Sequence, residues 1–566
     1  MGRAGPEVRR LLDVAVLVAL AAVPGAADQV PLPAADAPHA HSVAPGEKLG
    51  TVDFPVSCSS AARAKFGRAT ALLHSFAYEQ AELAFGEVLS ADPSCAMAHW
   101  GIAMSLFHPV WAAANPTAAP SAADLARGLA EVQKAKNPPP PTARERDYVE
   151  ALEAFYAESG RLDHATRAAA FARAMETVHA RHPEDREAAI FHGLALLGTV
   201  SLADKTYAVQ KQAAAVLNAV LPDVPDHPGV AHYLIHSLDY PALAELALPA
   251  ARAYAQIAPS APHALHMPSH IFTRLGLWDE SIEANLASAE AARGVAARLH
   301  PGRTSFDELH ALDYLEYAYL QAGRDAEAAE VLARVRAVGA LDFEQFAAAY
   351  ALAAVPARHA LERRDWAEAS TLAVAPASFP WARFAHAEAI VHFARGMGAA
   401  RRGDLDPARA EAAWLQGARE QIALRDPYWS AQTDVLHREL SAWIARAEGH
   451  DAEALRLMRS AAGLEEATEK SPVTPGAVLP AREMLGDLLL ETGDPAGALV
   501  EYDLSLRAAP GRYHTLAAAA QAAEAAGDPA RARSYQARLV AQCGRADASR
   551  VEVGKARAAL ATAVPR

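Results

Sequence analysis

The chain has 566 residues and a formal net charge of −14, from 53 Lys and Arg against 67 Asp and Glu, and none of its stretches is densely basic. Because phosphate backbones are bound mainly through Lys and Arg, this balance argues against a nucleic-acid partner. Aromatic residues make up only 7% and alternating runs of Val, Ile and Thr are absent, so the composition predicts an all-α protein.

The N-terminus has the pattern of a secretory signal peptide over residues 1–27. Arg3, Arg9 and Arg10 precede an apolar run over 14–23, and small residues lead to Ala27, after which we expect cleavage. The pattern predicts an exported protein, periplasmic or secreted; an uncleaved anchor or a misassigned start is the alternative. No later segment is long and apolar enough to span a bilayer, so we expect no stable membrane span after cleavage.

Residues 28–53 are rich in Ala, Pro and His and show no helical periodicity, which predicts a disordered lead-in. Beyond it lie the three cysteines of the chain, Cys58, Cys95 and Cys543. In an oxidising compartment Cys58 and Cys95 can form a disulfide, which leaves Cys543 unpaired. The alternative is that all three are unpaired small apolar residues.

A repeat fills most of the remaining chain. Near the C-terminus, Gly527 and Ala532 follow Gly493 and Ala498 by 34 residues. Small residues at these positions let two helices approach closely, glycine suits the turn between them, and Pro510 ends the second helix. The pattern recurs upstream in degenerate form. It predicts about 12 helix-pair units over 54–546, followed by a C-terminal tail over 547–566.

These features resemble tetratricopeptide repeat (TPR) proteins. The strings LLHSFAYEQA, CAMAHWGIAMSLFHPVW and HMPSHIFTRLGLWDESIEAN are similar to a group of uncharacterised bacterial exported TPR proteins. The resemblance implies an α-solenoid, a right-handed superhelix of antiparallel helix pairs whose first helices line a concave groove. It also implies that positions two, five and nine of each first helix face that groove, where TPR proteins bind a protein or peptide.

Two histidine pairs stand out within this register. His232 and His236, and His266 and His270, are each four residues apart, and the pairs are separated by 34 residues, one repeat period. A spacing of four places two side chains on one face of a helix, and the shared offset places both pairs on the same side of adjacent helices. With the groove positions implied by the resemblance, the pairs are predicted neighbours at positions five and nine.

The same register recruits further polar residues. His263 takes position two of the second pair's unit, and Asp239 lies three residues after His236. After a 13-residue insertion, the next unit has His310 at position two, Asp313 at five and Tyr317 at nine. Candidate ligands therefore converge on three neighbouring first helices.

Imidazole and carboxylate groups together suit Zn²⁺ and also Cu²⁺, Ni²⁺ or Fe²⁺. We hypothesise that the two histidine pairs hold one divalent metal ion, with His263, His310 or Asp313 as an extra ligand or an orienting group. The alternative is that these histidines hydrogen-bond to a peptide carboxylate or to each other. Pro268, between His266 and His270, predicts that the helix begins there or is kinked, which would disturb the second pair.

Three hypotheses for function remain open at the level of sequence. The first is a scaffold that binds a protein or peptide in its groove. The second is a hydrolase-like metalloenzyme with Asp239, Asp313 or Glu316 as general base, and the third is metal handling without catalysis. The motifs HExxH, GxSxG, GxxxxGK and CxxC are absent, so no nucleotide is expected and catalytic residues are unknown. The residues predicted to contact a partner in the groove are Asp239, Glu316, Tyr317, Glu483 and Asp487.

Overall fold

Helices account for almost all regular structure in the computed structural model, which describes residues 46–114 and 119–562. The predicted signal peptide and the lead-in up to residue 45 lie outside these ranges. Within them, β-structure is limited to one isolated bridge between Thr304 and Leu341. Among the same residues, none of the helices combines the length and apolarity needed to cross a bilayer. The all-α prediction is confirmed.

Between residues 46 and 299, the described residues form fourteen helices. They are α1 Ser60–His74, α2 Tyr78–Ala91, α3 Ala96–Ser105, α4 Pro109–Ala114, α5 Ala122–Lys136, α6 Ala143–Tyr156, α7 His164–Arg181, α8 Arg186–Leu197, α9 Ala208–Val220, α10 Pro228–Leu238, α11 Ala244–Ile257, α12 Pro262–His266, α13 Pro268–Leu275 and α14 Trp278–Leu299.

Thirteen further α-helices and one short 3-10 helix, Trp381–Arg383, follow in the described part of the chain. They are α15 Phe306–Gln321, α16 Asp325–Arg336, α17 Phe346–Glu362, α18 Trp366–Ala369, α19 Ala385–Arg402, α20 Leu405–Ala423, α21 Pro427–Ala447, α22 Asp451–Ala467, α23 Ala481–Glu491, α24 Pro495–Ala508, α25 Tyr513–Ala525, α26 Pro529–Gln542 and α27 Val551–Thr562.

Consecutive helices pack as antiparallel pairs, from α1 with α2 to α25 with α26, in a tetratricopeptide-type solenoid. The repeat residues explain the close packing. A Cβ on Gly486 of α23 would lie 2.5 Å from Cε1 of Tyr502 on α24, so only glycine admits this ring. Gly493 between the two helices has φ +88°, the left-handed conformation of a helix-ending turn. The sequence pattern thus encodes both the contact and the turn.

The two ends of the predicted repeat region differ from expectation. Residues 48–53, in the predicted disordered lead-in, are irregular but packed: the Thr51 N–H donates to Asp226 O at 3.0 Å, and Leu49 is buried. At the other end, the predicted tail contains α27, which packs on α26. Val553 and Ala556 are buried there, and Arg550 pairs with Asp325. Apolar burial fixes both segments.

The C-terminal helices close back onto the middle of the solenoid. Trp278 Nε1 donates to Gly511 O at 3.0 Å, and the Tyr513 N–H donates to Gln321 Oε1 at 2.8 Å. The segment 468–480, between α22 and α23, also crosses the inner side, where the Tyr314 hydroxyl donates to Thr474 O at 3.0 Å. The inner face of α15 is consequently covered by the chain's own later units.

Candidate metal centre

Three imidazoles meet between α10 and the first turn of α12. His232 and His236 lie one turn apart on α10, and His263 lies in the first turn of α12. Nε2 of His232 is 3.1 Å from Nε2 of His236 and 3.1 Å from Nε2 of His263. We call these residues triad A. His232 is fully buried and His236 is the most exposed of the three.

The tautomer of His232 is fixed by the backbone. Its Nδ1–H donates to the carbonyl oxygen of His74 at 2.6 Å, so its Nε2 carries a lone pair when the ring is neutral. That single in-plane lone pair accepts one hydrogen bond, from either His236 or His263. A cation at the centre of the triad would satisfy all three nitrogens at once, because each can donate a lone pair to it.

A second group, triad B, consists of His266, His270 and His310, from α12, α13 and α15. Nε2 of His266 is 3.0 Å from Nε2 of His270, and the ring centroids of His266 and His310 are 4.2 Å apart. All three side chains are buried. The break at Pro268 does not separate the pair, because Met267 between α12 and α13 keeps helical dihedrals of φ −53° and ψ −35°.

Both tautomers in the pair of triad B are fixed by neighbours. Asn285 donates through Nδ2 to Ser281 O at 2.7 Å, which turns its Oδ1 toward Nδ1 of His266 at 2.7 Å. Nδ1 of His270 donates to Asp239 Oδ2 at 3.0 Å. Both protons of the neutral rings are therefore on Nδ1, and two bare Nε2 lone pairs face each other at 3.0 Å. Such a contact is repulsive unless the two nitrogens share a cation.

A proton on one of these ring nitrogens is unfavourable, because the histidines have lowered pKa values. Burial lowers the pKa of His266 well below its usual value, and His310 and His270 lower it further. Burial also lowers the pKa of His270, although Asp239 opposes this effect. In triad A burial lowers the pKa of His236 to about 3. Near neutral pH the rings are in the neutral form that binds metal ions.

The nitrogen spacing suits a metal ion. With metal–nitrogen bonds of about 2.0–2.1 Å, two nitrogens 3.0–3.1 Å apart subtend an angle of about 95° at the metal. Within each triad all three nitrogens lie within 4.8 Å of one another. Three imidazole ligands leave coordination positions of the ion for further ligands. Among the described residues, each group holds three histidines and no fourth His, Cys, Asp or Glu.

The two triads are related by the repeat. Each combines positions five and nine of one first helix with position two of the next. His263 follows His232 by 31 residues, and His310 follows His266 by 44, a difference equal to the 13-residue insertion. In the unit of α10, position two is Gly229, where a Cβ would lie 2.5 Å from His74 Nδ1. The histidine arrangement therefore occurs twice, in triad A and in triad B.

Neighbouring groups hold the ligands in place. Asp239 accepts from Arg274 Nε at 2.8 Å as well as from His270. Although burial opposes ionisation, Lys470 and Arg274 keep the pKa of Asp239 below its usual value. Phe76, with φ +53°, packs its ring 4.3 Å from His232, between centroids. A non-glycine residue in this conformation carries backbone strain, which is typical of functional sites.

A third group beside triad A satisfies itself. Glu187 accepts from His74 Nε2 at 3.0 Å and from His227 Nε2 at 2.9 Å. Nδ1 of His227 accepts from the Gly229 N–H, and Nδ1 of His74 contacts the Tyr233 hydroxyl at 2.9 Å. Every ring nitrogen therefore has a partner of opposite polarity, and we interpret this group as support for the His74 carbonyl that holds His232.

A cavity of about 540 Å³ lies beside Arg274 and Lys470, the cationic neighbours of Asp239. Arg274 and Lys470 line it, together with Tyr350, Tyr428 and Trp429. Lys470 Nζ is 4.0 Å from Asp239 Oδ2, and the same oxygen accepts from His270, so Asp239 connects a cavity-lining side chain with triad B. The volume is in the range of small-molecule sites.

The sequence predicts that both histidine pairs hold one metal ion, whereas the structure divides the histidines into two groups of three. The pairs do not meet at one centre: His236 and His270 have ring centroids 6.4 Å apart, whereas His232 and His236 are 4.8 Å apart. Each pair instead takes its third histidine from position two of the next unit. Asp313 joins neither triad, because Arg358 binds it through NH1.

Four of the five residues predicted to face a partner are buried within the protein, and Asp487 is partly exposed. Asp239 supports His270, Glu316 lies 3.9 Å from Arg358 NH1, and the Tyr317 hydroxyl accepts from Arg512 at 3.1 Å. Glu483 accepts from Arg512 Nε at 2.8 Å, and Asp487 accepts from Arg364 at 2.8 Å. Arginines of later units and the closure of the superhelix cover this part of the groove.

Several supporting residues escape sequence reasoning. Asn285, Phe76 and the carbonyl of His74 belong to no repeat position that singles them out. Cys58 and Cys95 are joined by a disulfide with Cα atoms 5.0 Å apart, and Cys543 is free and buried. The disulfide ties the segment before α1 to the start of α3.

No family model matches the chain, and none of the curated proteins matches it. Solved structures with similar architecture include human IFIT1 dimer with m7Gppp-AAAA, at 12% identity and TM-score 0.34, covering 74% of this chain and 86% of that one. Yeast Tom70 has 10% identity and TM-score 0.28, with 89% and 96% covered. The APC/C hetero-tetramer Cut9–Hcn1 has 13% and 0.30, with 86% and 95% covered. TM-scores this low say nothing about function.

Proposed function

We propose that this chain is an exported metal-binding protein whose α-solenoid holds transition-metal ions at triads A and B. The observation that carries the proposal is the contact between Nε2 of His266 and Nε2 of His270 at 3.0 Å, with both ring protons committed elsewhere. A metal ion turns this repulsion into two bonds. Triad A has the same design around His232, whose proton lies on the His74 carbonyl.

The donor set points to zinc or copper. All the ring nitrogens are imidazole donors, which suit Zn²⁺, Cu²⁺, Ni²⁺ and Fe²⁺ better than Mg²⁺ or Ca²⁺. In the divalent series affinity is highest for Cu²⁺. The partners of Nδ1, a carboxylate, a side-chain amide and a backbone carbonyl, are those that orient metal-bound histidines.

Three protein ligands for each ion favour a reactive site over a structural one, because structural zinc sites use four. The cavity next to Asp239 offers room for a small molecule or a short peptide segment close to triad B. We therefore favour a metal-dependent enzyme or a ligand-binding metalloprotein. A folded partner is less well supported, since Glu316 and Glu483 are buried and Asp487 is paired with Arg364.

Export is the second part of the proposal. The predicted signal peptide over 1–27, the similarity to exported bacterial TPR proteins and the Cys58–Cys95 disulfide all suit an oxidising compartment. Expression of the full chain in a bacterium should yield periplasmic protein that begins at Asp28. Cytoplasmic protein that retains Met1 would refute export without bearing on metal binding.

The metal proposal is tested with untagged protein. After chelation and dialysis, the wild type should bind two equivalents of Zn²⁺ or Cu²⁺ by elemental analysis. His266→Ala, in triad B, should bind one. His450→Ala removes an exposed histidine outside the triads and should still bind two. Circular dichroism checks that each variant is folded. Folded wild type that binds less than about a tenth of an equivalent at micromolar metal would exclude the proposal.

A further inference from the structure

Triads A and B are contiguous. The ring centroids of His263 and His266, from different triads, are 6.2 Å apart, and those of His236 and His270 are 6.4 Å apart. Within triad A, His236 and His263 are 6.3 Å apart, and within triad B, His270 and His310 are 6.0 Å apart. The distances of 6.2 and 6.4 Å between the triads are thus close to the largest distances within them, 6.3 Å in triad A and 6.0 Å in triad B.

The charge of the surroundings is unbalanced for two cations. The six ligands are neutral imidazoles, so two divalent ions add four positive charges to a buried region. Asp239 is matched by Arg274, and Lys470 Nζ also lies 4.0 Å from the same carboxylate, so Asp239 supplies no excess negative charge. Glu187 also cannot balance the charge of the two ions, because His74 and His227 both donate hydrogen bonds to it. Buried charge of this size requires neutralising anions.

Within residues 46–114 and 119–562, no carboxylate is placed to bridge the triads. Asp239 faces Nδ1 of His270, on the side of the ring opposite to the proposed metal, and Asp313 is held by Arg358. Among the described residues, the metal-ligand groups themselves contain only histidines at these two sites. The remaining ligands of both ions therefore come from solution.

From this geometry we propose that the two triads form one dinuclear centre, in which both ions share an exchangeable small anion, hydroxide at rest. The inference rests on the proposed function, that each triad binds a metal ion. A bridging hydroxide lowers the charge of the pair and occupies the open side of both ions. Two-metal centres of this kind have ions about 3.5–4 Å apart and activate the bound oxygen as a nucleophile. The ligand class is then small anions such as hydroxide, azide and formate.

Copper provides the test, because two Cu²⁺ ions joined by one anion couple their electron spins. Untagged protein loaded with two equivalents of Cu²⁺ should give an electron paramagnetic resonance signal below about a tenth of its total copper. Azide should then produce a charge-transfer absorption that saturates at one azide for two copper ions. Measurements of total copper on the same sample give the reference.

His310→Ala is the matched variant, because it weakens triad B and leaves triad A intact. It should bind one Cu²⁺ with a full spin count and lose the azide stoichiometry. If it fails to fold, His236→Ala, at the more exposed ligand of triad A, serves the same purpose.

The outcomes separate the two proposals. Two bound ions with a full, uncoupled spin count overturn the dinuclear centre and leave metal binding intact. One bound ion in the wild type also overturns it. Absence of bound copper overturns the proposed function itself. A coupled pair without azide binding contradicts an exchangeable bridge.

Discussion

The same repeat positions carry opposite chemistry in different units. In the units of α10 and α12, positions five and nine are histidines, and the Nδ1 protons of His232, His266 and His270 are engaged behind the ring. In α15 and α23 the register carries acids such as Asp313, Glu483 and Asp487, and arginines from other units neutralise them. The comparison teaches that inner polar positions need a positive partner. The acidic units obtain it from the chain, whereas the histidine units leave lone pairs for a metal ion.

Acidification should distinguish the two registers most strongly. Burial lowers the pKa of each triad histidine, so the unfolded chain binds more protons below pH 6.5. Stability of metal-free protein should fall as the pH drops from 6.5 toward these lowered values, by up to about 1.4 kcal/mol per pH unit for each histidine. Urea unfolding at pH 7 and 5.5 measures this loss.

The acidic register has a different pH window. Burial opposes ionisation of Glu483 and Asp487, but their cationic partners hold each pKa below its usual value. Their contribution is therefore lost only below about pH 4, the usual range of carboxyl groups. His236→Gln with His310→Gln should flatten the slope between pH 6.5 and 5.5. An unchanged slope in that variant would show that other histidines cause the loss.

Removal of a central arginine should break the acidic register alone. Arg512 is fully buried and pairs with Glu483 and Glu362. Arg512→Ala removes the arginine that Glu362 and Glu483 share and should lower the free energy of unfolding by about 3–5 kcal/mol. Metal stoichiometry should not change. Arg456→Ala, at an exposed pair with Glu453, should have no measurable effect in the same urea experiment. Equal stability of both variants would contradict the assignment.

The carboxylate behind triad B should tune metal affinity. Asp239→Asn keeps the shape of the side chain but removes the charge that holds the His270 Nδ1–H. Loss of such a partner weakens metal binding about 10–100-fold, which competition with a chromophoric chelator can measure. Asp487→Asn makes the same change in the acidic register and should leave metal affinity as in the wild type. Similar losses in both variants would indicate a general effect on folding.

A smaller effect is expected behind His266. Asn285→Ala removes the acceptor of its Nδ1–H and should weaken metal binding about 10-fold, the lower end of the range for orienting groups. Ser269→Ala removes only the hydroxyl that contacts Asn285 at 3.3 Å and should change affinity little. If Ser269→Ala costs as much as Asn285→Ala, orientation of His266 is not the cause.

Sequence reasoning reached the helical fold because small residues and turns recur every 34 residues. It also made His232 and His266 neighbours through the same offset. It could not divide the ligands, since whether His263 turns toward α10 or α15 depends on how adjacent helices cross. Nor could it foresee that Arg358, 45 residues away, would take Asp313 from the centre. The sequence pattern predicts contacts between neighbouring units, but it does not predict contacts such as Arg358 with Asp313.

Pro268 shows how local rules can be met without the expected consequence. Its ring ends α12 and begins α13, as the sequence predicts for an interior proline. Helical dihedrals at Met267 nevertheless carry the chain direction across the break. His266 and His270 therefore stay one turn apart.

The contacts of Trp278 with Gly511 and of Arg550 with Asp325 make the solenoid a closed circuit. Open repeat arrays unfold piecewise, because each unit touches only its neighbours. Here the last units contact the middle ones, so loss of either contact should lower the stability of both the middle and the last units. We therefore expect this solenoid to unfold as one cooperative unit, whereas an open repeat array can unfold one unit at a time.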